Sequence, residues 1–104
     1  MSPGVTGSSR STYAILGCGS VGHAVAEDLA EADNDVLILD KDADRVEALR
    51  DQDLNATVQD ISEPSVAEAV ADRDILLVLA SDIEANKAAV AAIREAGGDQ
   101  YIVV

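Results

Sequence analysis

The sequence has no phenylalanine and no tryptophan, and it carries only two tyrosines, one cysteine, one histidine and two prolines in 104 residues. Without large aromatics, the core has to be packed from Ala, Val, Leu and Ile. A lone cysteine, Cys18, excludes an intramolecular disulfide, and a single histidine, His23, with no Cys cluster beside it excludes the usual zinc sites. No run approaches the ~20 apolar residues that span a bilayer. The N-terminus lacks the basic-then-apolar design of a signal peptide, so the chain reads as cytoplasmic. Basic residues are scarce as well: seven Lys and Arg stand against twenty Asp and Glu, for a net charge of -13. Nucleic acid and anionic membrane surfaces are thereby disfavoured as partners, because both are held by clustered Lys and Arg. The acidity is spread along the chain, as suits a halophilic host whose salt screens the repulsion. No D-x-D-x-D-G calcium loop is present.

What is present is a rhythm. After a Gly- and Ser-rich stretch expected to be a flexible tail (1–12), apolar runs alternate with helical patterns: YAIL then VGHAVAEDLAEA, VLIL then DADRVEALRDQ, NATV then SEPSVAEAVADR, ILLVL then DIEANKAAVAAIREA, and finally YIVV. Runs that are continuously apolar suit parallel strands covered on both faces. Right-handed crossovers then give an α/β, doubly wound parallel sheet of five strands with helices on both faces, occupying 13–104. Ser62, Asp82 and the pair Gly97-Gly98 are the expected helix punctuation, the first two as N-caps and the last as a stop. In the first helix, Val21, Val25, Leu29 and Ala32 form the expected buried stripe. In the last, Ile83, Asn86, Val90 and Ile93 share a face, and Asn86 is expected to bond the backbone of the loops after the first and fourth strands.

The stretch ILGCGSVGHAVAEDL places Gly17, Gly19 and Gly22 at the spacing G-x-G-x-x-G between a strand and a helix. Gly17 would permit the tight turn, Gly19 would let a pyrophosphate approach the backbone, and Gly22 would let helix and strand pack closely. Unpaired N–H groups of the loop, across Cys18, Ser20 and Val21, and the positive end of the helix then face an anion. Asp40 ends the second strand eighteen residues after Gly22, where the hydroxyls of an adenosine ribose would lie. A carboxylate there repels a 2′-phosphate, favouring NAD or ADP and ATP over NADP, although Lys41 and Arg45 nearby work against that preference.

With ILGCGSVGHAVAEDL, LILDKDADRVEAL, TVQDIS and LASDIEANKAAVAAIRE in hand, the chain resembles the TrkA-N or RCK nucleotide-binding domains that regulate potassium channels and transporters. The resemblance implies a Rossmann-like domain that binds NAD(H) or ADP and ATP in the crevice above the first and fourth strands. It implies a homodimer or larger ring coupled to a membrane transporter. Carried over by residue, Gly17, Gly19 and Gly22 hold the phosphates and Asp40, with Lys41 beside it, the ribose. Asp60 and Ile61 meet the adenine edge, and Ala80 and Ser81 floor the crevice near the second phosphate or the nicotinamide. Gln59 stands where the family usually has Gly, which alters the local backbone that places the adenine, and His23 stands where it often has Arg, so a phosphate contact would be lost. The family domain normally continues with another helix and a sixth strand, so the chain is expected to be a piece of a longer protein. Such modules also precede other effectors, among them DHH-type phosphoesterases.

An enzyme is not expected. A dehydrogenase needs a substrate pocket and proton-transfer groups, which normally come from a second domain, and no G-x-S-x-G, HExxH or P-loop occurs. The competing reading is the cofactor-binding half of an NAD-dependent oxidoreductase. Cys18 lies at a helix N-terminus, where thiol pKa values can fall, but a small residue between glycines accounts for it. His23 reads as a surface residue of the first turn.

Overall fold

The computed structural model describes residues 11–104. The stretch 1–10, most of the expected tail, lies outside them. Five strands form one sheet: β1 (Thr12–Leu16), β2 (Asp35–Asp40), β3 (Asn55–Val58), β4 (Ile75–Val78) and β5 (Tyr101–Val103). The helices between them are α1 (Ser20–Glu31), α2 (Ala43–Asp51), α3 (Val66–Ala69) and α4 (Ile83–Glu95). Every strand pair is parallel, in the order β3-β2-β1-β4-β5. The chain thus winds outward from β1 in one direction and returns to wind outward in the other.

Both faces of the sheet are covered, as the continuous apolar runs require. Along β1 successive side chains point to opposite sides: Ala14 and Leu16 pack in one cluster with Val66 and Val70 of the α3 region and Ala89 and Ile93 of α4. Ile15 packs in the other cluster, with Ala26 of α1 and Val46 and Leu49 of α2. Fully burying an aliphatic side chain of this size contributes about 1.5–3 kcal/mol. A core of Ile, Leu, Val and Ala therefore suffices without aromatics.

Several local expectations are corrected. Ser62 does not cap a helix: its hydroxyl and its N–H both donate to Asp60 Oδ1, at 2.6 and 3.0 Å, closing a tight turn. The third helix is a single turn beginning after Ser65, not a helix across 62–73. Asp82 does cap α4, accepting from the Glu84 and Ala85 amides, and Asp42 caps α2 in the same way. In α1 the buried positions are Gly22 and Ala26, flanked by the partly buried Val25 and Leu29. Val21 is 66% exposed and Ala32, the C-cap, is exposed too, so the expected stripe is covered only along the middle of the helix. Ile83, the first residue of α4, is 67% exposed as well. After α4, Gly97 takes a φ of +86°, a conformation that glycine adopts without strain, and the helix stops there.

Candidate functional site

The winding reverses between β1 and β4, so the loops leaving their carboxyl ends diverge and leave a crevice, the place where open α/β sheets bind ligands. The crevice has a volume of about 550 Å³. Gly17, Cys18, Gly19, Ser20, Val21, Gly22, Asp40, Lys41, Asp60, Ile61, Ala80 and Ser81 all line it, so the residues expected to hold a nucleotide converge on one cavity. Arg45, Ser62, Leu79, Asp82, Glu84 and Ala85 complete the wall. His23 faces an adjoining chamber of about 280 Å³, where its Nε2 meets Gln52 Oε1 at 2.7 Å.

The glycines differ in what they make possible. Gly17 has a φ of +88°, and its N–H donates to Leu39 O at 2.7 Å, tying the β1 exit to β2. A β-carbon on Gly22 would lie 3.1 Å from Gly17 O and 3.5 Å from Ile15 Cγ2, so α1 and β1 pack closely there and a side chain would press on the Gly17 carbonyl. Gly19 has nothing within 4 Å of such a β-carbon, leaving its surface open to an approaching group.

Gly19 is also the N-cap of α1 and supplies no side-chain acceptor, and the first turn contains no acidic residue. The leading N–H groups of a helix have no intrahelical partner, and an anion is their natural complement. The same loop sends the Cys18 N–H elsewhere, to Asp40 Oδ2 at 2.9 Å. Asp40, at 5% exposed, also accepts from the Asp42 N–H at 2.9 Å and from Arg45 Nη1 at 3.1 Å.

The remaining carboxylates of the wall are likewise engaged. Asp60 accepts from Ser62, and these hydrogen bonds lower its carboxyl below the ordinary range. Asp82 caps α4, and Glu84 pairs with Lys87 at 3.6 Å. The wall therefore offers backbone N–H groups at α1 and the ammonium of Lys41, although the protein as a whole is strongly acidic. Burial raises the Cys18 thiol above its usual value, with the Asp40 charge adding to the shift, so the helix terminus does not activate it.

Asn86 carries its amide to the Ala80 carbonyl, with Nδ2 to O at 2.8 Å, which fastens the loop after β4 to α4. The expected second bond, to the loop after β1, is not made: Oδ1 is buried without a hydrogen-bond partner. Arg45 enters the sequence reading only as a nearby charge. Its ion pair with Asp40 depends on a side chain reaching back from α2 to the end of β2, which spacing alone does not specify.

An uncapped helix terminus and a carboxylate at the next strand end, set at a topological switch point of a parallel sheet, define a Rossmann-like domain. Comparison with known families makes this particular: the TrkA-N domain model matches residues 13–104, and the chain belongs to that family. It is 42% identical over 78 residues to the Trk system potassium uptake protein TrkA of Vibrio alginolyticus, a match covering 72% of this chain and 17% of that protein. With the TrkA of Halomonas elongata it shares 36% identity over 75 residues, 69% of this chain and 16% of that protein. The chain thus spans about a sixth of the length of these relatives. Among solved structures it is similar to the NAD(P)-binding domain of an exopolyphosphatase-related protein from Archaeoglobus fulgidus, with a TM-score of 0.80 and 26% identity over 89% of this chain and 71% of that one. Saccharopine dehydrogenase of Saccharomyces cerevisiae shares the fold, with a TM-score of 0.73 at 20% identity over 88% of this chain and 21% of that one. Among the described residues no helix is long and apolar enough to cross a membrane.

Proposed function

We propose that residues 13–104 are a nucleotide-sensing regulatory domain that binds NAD(H), or ADP and ATP, and passes the state of that ligand to a potassium-transporting membrane partner. The observation that carries this reading is the convergence of the uncapped α1 terminus and Asp40 on one crevice. In it, the loop from Gly17 through Cys18, Gly19, Ser20 and Val21 to Gly22 holds the phosphates through backbone N–H groups. Asp40 accepts from the ribose hydroxyls with Lys41 beside it, Asp60 and Ile61 border the adenine, and Ala80 and Ser81 floor the far end. In this reading the bound nucleotide supplies no chemistry to the domain. Its role is differential affinity: a ligand that favours one arrangement of a dimer or larger assembly shifts the population by that difference and no more. In this reading the protein works in the cytoplasm.

Likeness to TrkA proteins supports the potassium reading. Likeness to the domain of an exopolyphosphatase-related protein supports a second one, in which the same sensing module is joined to a phosphoesterase effector. Both share the nucleotide site.

Thermal unfolding in high-KCl buffer tests the reading, with NAD, NADH, ADP or ATP added separately. A ligand at a hundred times its dissociation constant stabilises by about 2.7 kcal/mol, a shift of about 10–20 °C in a domain of this size. The expected result is such a shift with at least one of the four, lost in Asp40→Ala. No shift with any of them would reject the sensor reading.

A further inference from the structure

We infer that the flank of α1 turned away from α2, together with the uncovered face of β4 and β5, is a docking groove for one amphipathic helix of a protein partner, apolar on the side it buries and rich in Lys and Arg along its edges. The groove is separate from the nucleotide reading and holds whether or not a ligand occupies the crevice.

Helices lie on both faces of the sheet, but not to the same extent. Parallel pairing sets Ile75 beside Tyr101 and Leu77 beside Val103, so all four point to one face. It is the face on which Ile15, the partner of Leu77 in β1, packs with Ala26 of α1 and with Val46 and Leu49 of α2. There α1 and α2 lie over β1, β2 and β3 and extend no further. On the opposite face Leu76 and Val78 are buried beneath the α3 region and α4. Ile75 and Leu77, by contrast, are only partly buried, Val103 is 40% exposed and Tyr101 is 70% exposed. Continuously apolar strands need cover on both faces, and here one half of one face has none.

The wall of the groove is α1. Gly22 and Ala26 face the sheet, and His23, one position to one side of Gly22, meets Gln52 of α2. At about 100° per residue, Val21 lies equally far to the other side, followed along the helix by Val25, Asp28 and Ala32. That flank overlooks β4. Exposed Val21 and partly buried Val25 therefore continue the apolar surface of Leu77, Tyr101 and Val103. A contiguous apolar surface marks an interaction site, where apolar residues scattered singly do not.

Size and charge define the occupant. Neighbouring strands lie about 4.8 Å apart and packed helices about 8–10 Å between axes, so two uncovered strands leave room for one helix beside α1. With its twelve residues α1 offers a wall of about 18 Å. Asp28 stands on that wall, and exposed Asp74 and Asp99 stand where β4 and β5 begin. The cations nearby in the chain are engaged: Arg73 pairs with Asp35 at 2.8 Å, and Arg94 bonds the Gly98 and Gln100 carbonyls. A second copy of α1 would bring Glu27, Asp28 and Glu31 and no Lys or Arg, setting acid against acid. A helix edged with Lys and Arg is the complement of this border.

Two synthetic peptides test the inference, each with Leu and Ala along one helical face, one flanked by Lys and the other by Glu. Binding is followed by the methyl and amide shifts of the labelled chain. The Lys-flanked peptide is expected to bind at least about tenfold more tightly at about 0.15 M KCl, and its advantage to shrink at about 1 M, where charges are screened within a few Å. Its shifts should include the Val21, Val25, Leu77 and Val103 methyls. Tyr101→Lys and Val103→Lys are expected to keep the unfolding temperature and to weaken that peptide about tenfold, and Tyr101→Phe to leave it unchanged. The inference is overturned if neither peptide binds, if both bind alike at low salt, or if the shifts stay within the amides of β5, as an added strand would give. Self-association of the wild type that Tyr101→Lys abolishes would also overturn it, by making a second copy the occupant. The comparison of the two peptides on the wild type decides the matter even if a variant does not fold, and none of these readouts needs a nucleotide.

Discussion

A β-carbon on Gly17 would lie 2.5 Å from the β-carbon of Ala80 and 2.8 Å from the Ala80 nitrogen. The loops leaving β1 and β4 touch at this point, backbone against backbone, and the crevice opens above their contact. Gly17→Ala therefore faces both a collision with the chain and a φ of +88° that L-residues rarely adopt. The expected loss of stability is about 1–3 kcal/mol from the backbone strain alone, read by chemical denaturation. Gly19→Ala, where nothing lies within 4 Å, is expected to fold like the wild type and to lose nucleotide affinity by intruding on the crevice.

Asn86→Ala removes the bond that holds the Ala80 carbonyl. It is expected to cost about 1 kcal/mol, moderated because the buried and unpartnered Oδ1 is removed at the same time. Amide hydrogen exchange checks the location: protection should fall at the β4 exit and the start of α4 and stay unchanged across β2 and β3.

Burial and the Asp40 charge both raise the thiol of Cys18, so its reaction with a disulfide reagent at neutral pH should be slower than that of a free cysteine. Arg45 acts in the opposite direction, lowering the thiol, so Arg45→Ala is expected to slow the reaction further at constant global stability. Reaction as fast as that of a free thiol would mean that the glycine loop opens readily.

The Asp60 carboxyl is lowered in the folded protein by its bonds from Ser62. A group that binds its proton less tightly when folded stabilises the fold above its unfolded pKa and loses that contribution as pH falls through the folded value. Ser62→Ala removes the hydroxyl bond, and the Asp60 titration, followed by NMR of the carboxyl carbon, should move up toward the ordinary carboxylate value. With the Ser62 N–H still donating, the return should be partial.

Much of this was legible in the chain. Continuous apolar runs identified the parallel strands, and G-x-G-x-x-G with Asp40 identified the residues that the fold assembles into one crevice. The apolar spacing of SVAEAVADR misled, because the Asp60–Ser62 turn and a bond from Gln59 to Ser65 shape the approach to α3 and leave one helical turn. Val21 and Ile83 sit on their helical faces as the period requires, yet both lie in first turns and stay exposed, Val21 on the wall of the open crevice. The pairing of Arg45 with Asp40 and the bond from Cys18 to the same carboxylate join three segments of chain. Side-chain reach, which carries no period, decides such contacts.

Amide chemical shifts of the isotopically labelled chain, recorded while NADH or ADP is titrated in, test the central claim most directly. The account predicts saturable shifts concentrated at Gly17 to Gly22, at Asp40 and Lys41, at Asp60 to Ser62 and at Ala80 and Ser81. An unchanged spectrum at millimolar ligand, or shifts confined to the opposite end of the sheet around Gly98 and Gln100, would contradict it.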